Sequence, residues 1–193
     1  MELCVYGASG DRLDPRYFEE AERLGSLLGR RGHSLVFGGG AHGLMGACAS
    51  GAALSGARII GVVPRFFNEP GVVFSRCSEL IWTETMSERK AIMEERADAF
   101  LVLPGGIGTF EEFFETLTLR QLGRHGKPIA LLNTLGYYDA LDALLRASAE
   151  SGFLSKDCLA LYSLCPTPEE ALAHAETAPR ITGGIGRLQD YAR

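Results

Sequence analysis

The sequence predicts an α/β protein, a single domain built on a doubly wound parallel sheet with helices on both faces. Three observations point there. Short β-branched and leucine-rich runs alternate with longer amphipathic stretches, the pattern of successive strand–helix–strand units. Glycine clusters fall where strands give way to helices, at Gly38-Gly39-Gly40 and Gly105-Gly106. The chain has 193 residues, 46% of them apolar. At this length folding buries roughly 70% of the unfolded surface, so neither disulfides nor a structural metal are needed.

Taken in order, strands are expected over 3–6, 35–37, 58–63, 79–83, 99–103 and 128–132. After the first, Tyr17, Phe18, Ala21, Leu24 and Leu28 recur at helical spacing and predict a helix covering one sheet face. The stretch 44–54 reads as a helix of small residues. Residues 87–97 set Ala91, Ile92 and Met93 among charges, and 110–122 set Phe113, Phe114 and Leu117 beside Glu111, Glu112 and Glu115, so both are helices. A further helix spans 138–149, its polar and apolar faces divided between Asp142 and the leucines 141, 144 and 145. The signal weakens after Gly152; a short helix over 166–175 is expected, with Thr167 as N-cap and Pro168 in the first turn. Residues 1–177 form the domain, and 178–193, with Gly183, Gly184 and Gly186, form a tail.

A formal net charge of −5 argues against nucleic acid and anionic membranes as partners. No apolar run approaches the 18 or so residues of a membrane span, and the N-terminal residues do not read as a secretion signal, so the cytoplasm is expected. Cys4, Cys48, Cys77, Cys158 and Cys165 never form a C-x-x-C pair and read as reduced core thiols. His33, His42, His125 and His174 are dispersed, which argues against a metal site.

In a parallel sheet, loops leaving the carboxyl ends of the strands share one edge. Here they carry Ser9, Gly38 to Gly40, Pro64-Arg65, Met86 to Lys90 and Pro104 to Thr109, and that edge is the expected site. Glycine is abundant, 24 residues of 193, so backbone must be closely approached somewhere. Gly38-Gly39-Gly40-Ala41-His42-Gly43 fits G-x-G-x-x-G, yet no acidic residue between Gly38 and Asn68 is available for a dinucleotide ribose. The run suits a smaller ligand or a neighbouring strand, and His42 reads as a loop residue. The second loop, Pro104-Gly105-Gly106-Ile107-Gly108-Thr109, opens a helix whose amides and dipole can hold a phosphate monoester without Lys or Arg. Its competing reading is a tight turn with Thr109 as N-cap, in which Glu112 completes a capping box; Thr85 and Glu88 repeat that spacing one helix earlier. Arg89 and Lys90 lie in a first helical turn, where the dipole disfavours cations by some tenths of a kcal/mol, and so call for an anionic ligand or carboxylate partners.

Phe37 to Gly46, Met86-Ser87-Glu88-Arg89-Lys90 and Pro104 to Glu112 stand in order, followed by Gln121-Leu122-Gly123, Lys127-Pro128 and Leu131-Leu132-Asn133. Together they resemble the LONELY GUY (LOG) family of cytokinin riboside 5'-monophosphate phosphoribohydrolases, whose hallmark is P-G-G-x-G-T-x-x-E. The resemblance covers about residues 3–176. It implies a Rossmann-like homodimer that cleaves the N-glycosidic bond of a nucleoside 5'-monophosphate, AMP or an N6-modified adenine nucleotide, without metal or other cofactor. It makes Arg89 and Glu112 the catalytic pair and places Lys90 and Gly105, Gly106, Ile107, Gly108, Thr109 and Glu111 in the nucleotide-binding set. Ser9 and Thr118 match further nucleotide contacts, Glu69 a contact to the base, and Gly39 and Gly40 share the ligand edge. Two departures from the family pattern are Ser87 in place of a histidine and Gly7-Ala8-Ser9-Gly10 in place of Cys-Gly-Ser-Ser, and the first, by altering the pocket wall, bears on base preference. The name lysine decarboxylase, also attached to this family, would need a lysine placed for pyridoxal phosphate, and Lys90 inside a nucleotide motif is a poor candidate. Two other readings are a non-catalytic nucleotide or molybdenum-cofactor carrier, and an interaction module using Phe113 and Phe114 as a dimer face.

Overall fold

The computed structural model describes residues 1–180; the rest of the expected tail, 181–193, lies outside the described residues. The chain runs β1 (Glu2–Tyr6), α1 (Pro15–Arg30), β2 (Ser34–Phe37), α2 (Gly43–Leu54), β3 (Ile59–Pro64), β4 (Glu79–Thr83), α3 (Met86–Arg96), β5 (Ala99–Val102) and α4 (Ile107–Gln121). It continues with β6 (Ile129–Leu132), α5 (Asp139–Glu150), β7 (Ser163–Cys165) and α6 (Pro168–Thr177). All six pairings are parallel, in the order β4-β3-β2-β1-β5-β6-β7. This is the doubly wound, Rossmann-like sheet, and its order reverses between β1 and β5.

Strand periodicity makes two cores from one sheet. Leu3, Val5, Leu35, Phe37, Leu101 and Leu103 face one side, where Ala21, Leu24 and Leu28 of α1, Cys48 and Ala52 of α2, and Leu172 of α6 cover them. Cys4, Tyr6, Val36, Phe100 and Val102 face the other, against Met93 of α3, Phe113 and Leu117 of α4, and Leu145 of α5. Each fully buried Leu or Phe contributes roughly 1.5–3 kcal/mol.

The expected strands and helices are present, and two details differ. β7 carried no readable sequence signal, because three residues are too few to show a period. The second concerns α4, whose N-cap is Gly106, so Thr109 lies inside the first turn and the capping box from Thr109 to Glu112 does not form. By contrast Thr85 does cap α3, its Oγ1 accepting from the Glu88 N–H at 3.1 Å, and Thr167 caps α6 in the same way. Phe113 is wholly buried in the core while Phe114 is 37% exposed, so the two do not form one face.

Candidate active site

At the β1/β5 reversal the loops diverge and leave a cleft of about 570 Å³, the place where sheets of this kind bind ligands. Gly7, Ala8 and Ser9 enter it from β1, Gly38 to His42 from β2, and Gly106 to Thr109 from the turn after β5. Arg89 from α3 and Glu111 and Glu112 from α4 complete its polar lining.

Arg89 and Glu112 are 7% and 8% exposed and face one another, the Arg89 Nη1–H donating to Glu112 Oε1 at 3.0 Å. The Arg89 Nε–H donates to the Val62 carbonyl at 3.2 Å, which ties the guanidinium to β3. Burial pushes the Glu112 carboxyl above its ordinary value, and the positive charge and hydrogen bond of Arg89 pull it back. Gly38 explains how an arginine fits here: a Cβ at that position would lie 1.8 Å from Arg89 Nη2. Glycine at 38 therefore serves the catalytic candidate, a purpose the spacing did not reveal.

With Gly106 as N-cap and no capping side chain, α4 begins with open donors. The backbone N–H groups of Gly106, Ile107, Gly108 and Thr109 have no protein acceptor among the described residues. A Cβ on Gly106 or Gly108 would point into open space, whereas one on Gly105 would meet Thr109 Oγ1 at 2.1 Å. Gly105 thus lets Thr109 fold back beneath the turn. The result is an anion cradle with the helix dipole behind it, and Glu112 lies four residues past Gly108, about 6 Å along the axis.

Other expected residues sit differently. Lys90 does not line the cleft; its ammonium bridges α3 to Glu111 and Glu115 of α4, the carboxylate partners its placement called for. Burial alone would lower its pKa, but those carboxylates raise it. Gly39 and Gly40 line the cleft, Gly39 in the left-handed region at φ +74° with Val63 where a side chain would go. Thr118 is exposed on α4 outside the cleft, and Glu69 is exposed between Phe67 and Val72, which do line it. Ser87 is exposed and outside the lining.

The sequence reading missed the apolar wall made by Met45, Val63, Phe67, Val72, Val73 and Met86. Apolar residues in loops carry no period that marks them as lining. His42, read from the sequence as a loop residue, does lie in the loop before α2 and lines the cleft beside Asp11; Asp11 Oδ2 meets His42 Nδ1 at 3.0 Å and Oδ1 accepts from the Gly43 N–H at 2.8 Å. No group of three or more His, Cys, Asp or Glu among the described residues is placed to hold a metal ion.

Residues 45–175 match the family model described as "Possible lysine decarboxylase". The chain is 38% identical over 194 residues to the probable cytokinin riboside 5'-monophosphate phosphoribohydrolase LOGL1 of Oryza sativa subsp. japonica, covering 96% of this chain and 87% of the relative. This chain belongs to the LOG family. The cytokinin riboside 5'-monophosphate phosphoribohydrolase LOG3 of Arabidopsis thaliana is 35% identical over 190 residues, 98% of this chain and 82% of the relative. The LOG hallmark is therefore the Pro104-to-Glu112 turn and helix start described above. Among solved structures, the molybdenum cofactor carrier protein of Chlamydomonas reinhardtii superposes with a TM-score of 0.70 at 20% identity, covering 91% of this chain and 95% of that one. The molybdenum cofactor binding protein of Rippkaea orientalis gives 0.68 at 21%, covering 89% and 93%. At those identities the likeness shows a shared fold alone.

Proposed function

We propose that this LOG-family protein hydrolyses the N-glycosidic bond of a nucleoside 5'-monophosphate, releasing the free base and ribose 5-phosphate. The observation that carries this reading is a buried carboxylate, held by Arg89, about one helical turn from open helix-terminal amides. The amides take the 5'-phosphate, and the sugar spans the distance to Glu112. As the C1'–N bond lengthens, its electron pair goes to the base nitrogen and positive charge grows on the ribose. Ionised Glu112 stabilises that charge and accepts a proton from the water whose oxygen bonds to C1'. The departing base nitrogen takes up a proton from solvent, and Glu112 returns the proton it accepted to solvent, which restores the carboxylate. Arg89 orients Glu112 and favours its charged form.

The apolar wall suits a purine carrying an apolar N6 substituent, consistent with the names of the LOG relatives. Ile107, Glu111, Phe114 and Thr118 of α4 and Leu122 at its C-cap follow one another along an exposed stripe, with Ile107 87% and Leu122 57% exposed. A homodimer that covers this stripe would bring Thr118 and Leu122 out of solvent. A pyridoxal-dependent decarboxylase finds no lysine among the described residues of the cleft.

Incubating the protein with AMP and with N6-isopentenyl-AMP, and following free base by chromatography, tests the activity. Glu112→Gln should retain nucleotide binding and lose about 10²–10⁴-fold in kcat. Base release from neither nucleotide, nor from any other purine or pyrimidine monophosphate, overturns the reading.

A further inference from the structure

We infer that Tyr137 is a positioning residue for the phosphate cradle, aiming its amides through a single hydrogen bond from the far side of the turn, with Tyr138 fixing the start of the same turn. The inference rests on the reading of the α4 N-terminus as the 5'-phosphate site. The Tyr137 hydroxyl donates to the Gly105 carbonyl at 2.5 Å. A trans peptide is planar and its C=O and N–H point in opposite directions. Holding the Gly105 carbonyl towards Tyr137 therefore turns the Gly106 N–H away from Tyr137. Gly106 lines the cleft and Tyr137 does not, so that direction is the ligand's side.

Nothing within the turn itself enforces this orientation. Gly106 has nothing within 4 Å of a Cβ position, and neither Gly105 nor Gly106 carries a side chain to lock the peptide between them. A glycine–glycine peptide is the easiest in a protein to flip. Two residues upstream, the buried Tyr138 hydroxyl donates to the Leu103 carbonyl at 2.7 Å, anchoring the chain where β5 ends.

Both tyrosines are themselves delivered by a costly piece of backbone. Leu135, 51% exposed, adopts left-handed torsions at φ 56° and ψ 25°, and Gly136 follows at φ +72°. A non-glycine residue in that region is strained and persists only where its surroundings over-determine it. Here Asn133 does so: its Oδ1 accepts from the Tyr138 N–H at 2.7 Å and its Nδ2 donates to Asp139 at 2.7 Å. The turn after β6 is thus strained, pinned, and ends on the two hydroxyls that hold the turn after β5.

Tyr137→Phe removes one oxygen and keeps the ring against Tyr17, Phe110 and Tyr138. Calorimetric binding of inorganic phosphate, AMP and adenosine to the full chain separates the possibilities. Phosphate and AMP affinities should each fall about five-fold, because the freed Gly105–Gly106 peptide samples orientations in which its N–H turns from the ligand, while adenosine affinity stays unchanged; the thermal midpoint should fall by only a few degrees, through the lost internal hydrogen bond itself. Equal phosphate affinity in the variant and the parent overturns the inference, as does an equal loss for adenosine, or a parent protein that binds no phosphate at all. AMP that binds with the expected Tyr137 dependence and is never cleaved would leave this inference standing while overturning the proposed activity.

Discussion

Glu112 has two competing influences on its proton, and their order sets an observable. Burial raises its pKa above the ordinary 4.5, and Arg89 lowers it without cancelling the rise. Because the ionised form is the working one, kcat/KM, which reports groups of the free protein, should fall on the acid side with a midpoint above 4.5, as the carboxylate takes up its proton. In whatever rate Arg89→Gln retains, that midpoint should move higher still, since the lowering charge is gone. A pH–rate profile checks both, and a midpoint at or below 4.5 removes Glu112 from the role of base. Gly38→Ala places a Cβ within 1.8 Å of Arg89 Nη2 and must displace the guanidinium. A misplacement of about 1 Å costs on the order of 100-fold in rate, so kcat should fall by about that much while circular dichroism stays unchanged. Arg89 and Glu112 were legible as motif residues. Gly38's service to Arg89 was not, because residues 51 apart in sequence meet only through the sheet.

At the level of elements, α1 and α2 pack so closely that backbone touches backbone. A Cβ on Gly25 would lie 1.9 Å from the Cys48 carbonyl oxygen, and one on Gly51 would lie 2.1 Å from that of Glu22. Replacing a helical glycine by alanine normally gains up to about 1 kcal/mol in propensity, but overpacking at an immovable backbone costs about 1–3 kcal/mol or more. The clash wins. Gly25→Ala and Gly51→Ala should each lower the thermal midpoint, by about 2–4 °C for every net kcal/mol lost, and an unchanged midpoint would mean the helices separate freely. The amphipathic periods of these helices were readable; their distance of approach was not. The start of α4 teaches the same lesson. Thr109 and Glu112 have capping-box spacing, yet Gly105 lets the helix begin earlier, which frees Glu112 for Arg89.

Across the whole molecule, two titrating groups set opposite pH dependences of stability. His125 accepts the Lys127 N–H at Nδ1, 3.2 Å, and lies 3.0 Å from the Thr116 carbonyl through Nε2, an arrangement that suits the neutral ring. Burial, with nearby Lys127 and Arg120, lowers its pKa from 6.5 to about 4. Between those values the unfolded chain holds a proton that the folded chain does not, so His125 makes stability fall as pH falls. Glu94 acts in reverse. Half-buried and facing Glu111 and Glu115, with Lys90 and Lys127 only partly offsetting them, it rises from 4.5 to about 7, and contributes stability on the acid side that is lost as pH rises. From pH 6.5 down to 4.5 the two should largely cancel. Urea midpoints should then rise on acidification in His125→Gln and fall more steeply in Glu94→Gln; parallel profiles in both variants would refute the assignment.

What the amino-acid order determined by itself was the alternation of elements, the caps at Thr85 and Thr167, and the glycine turn at 105–108, because each depends on residues a few positions apart. It also called for close approach to backbone, without saying by what. Only the tertiary structure divided those approaches: Gly38 makes way for Arg89, Gly25 and Gly51 for a neighbouring helix, and Gly106 and Gly108 face the open cleft. The physical reason is distance along the chain. Propensity and capping act within a few residues, whereas the pairing of β1 with β5 brings together groups roughly a hundred positions apart, and the site exists only where that pairing puts them.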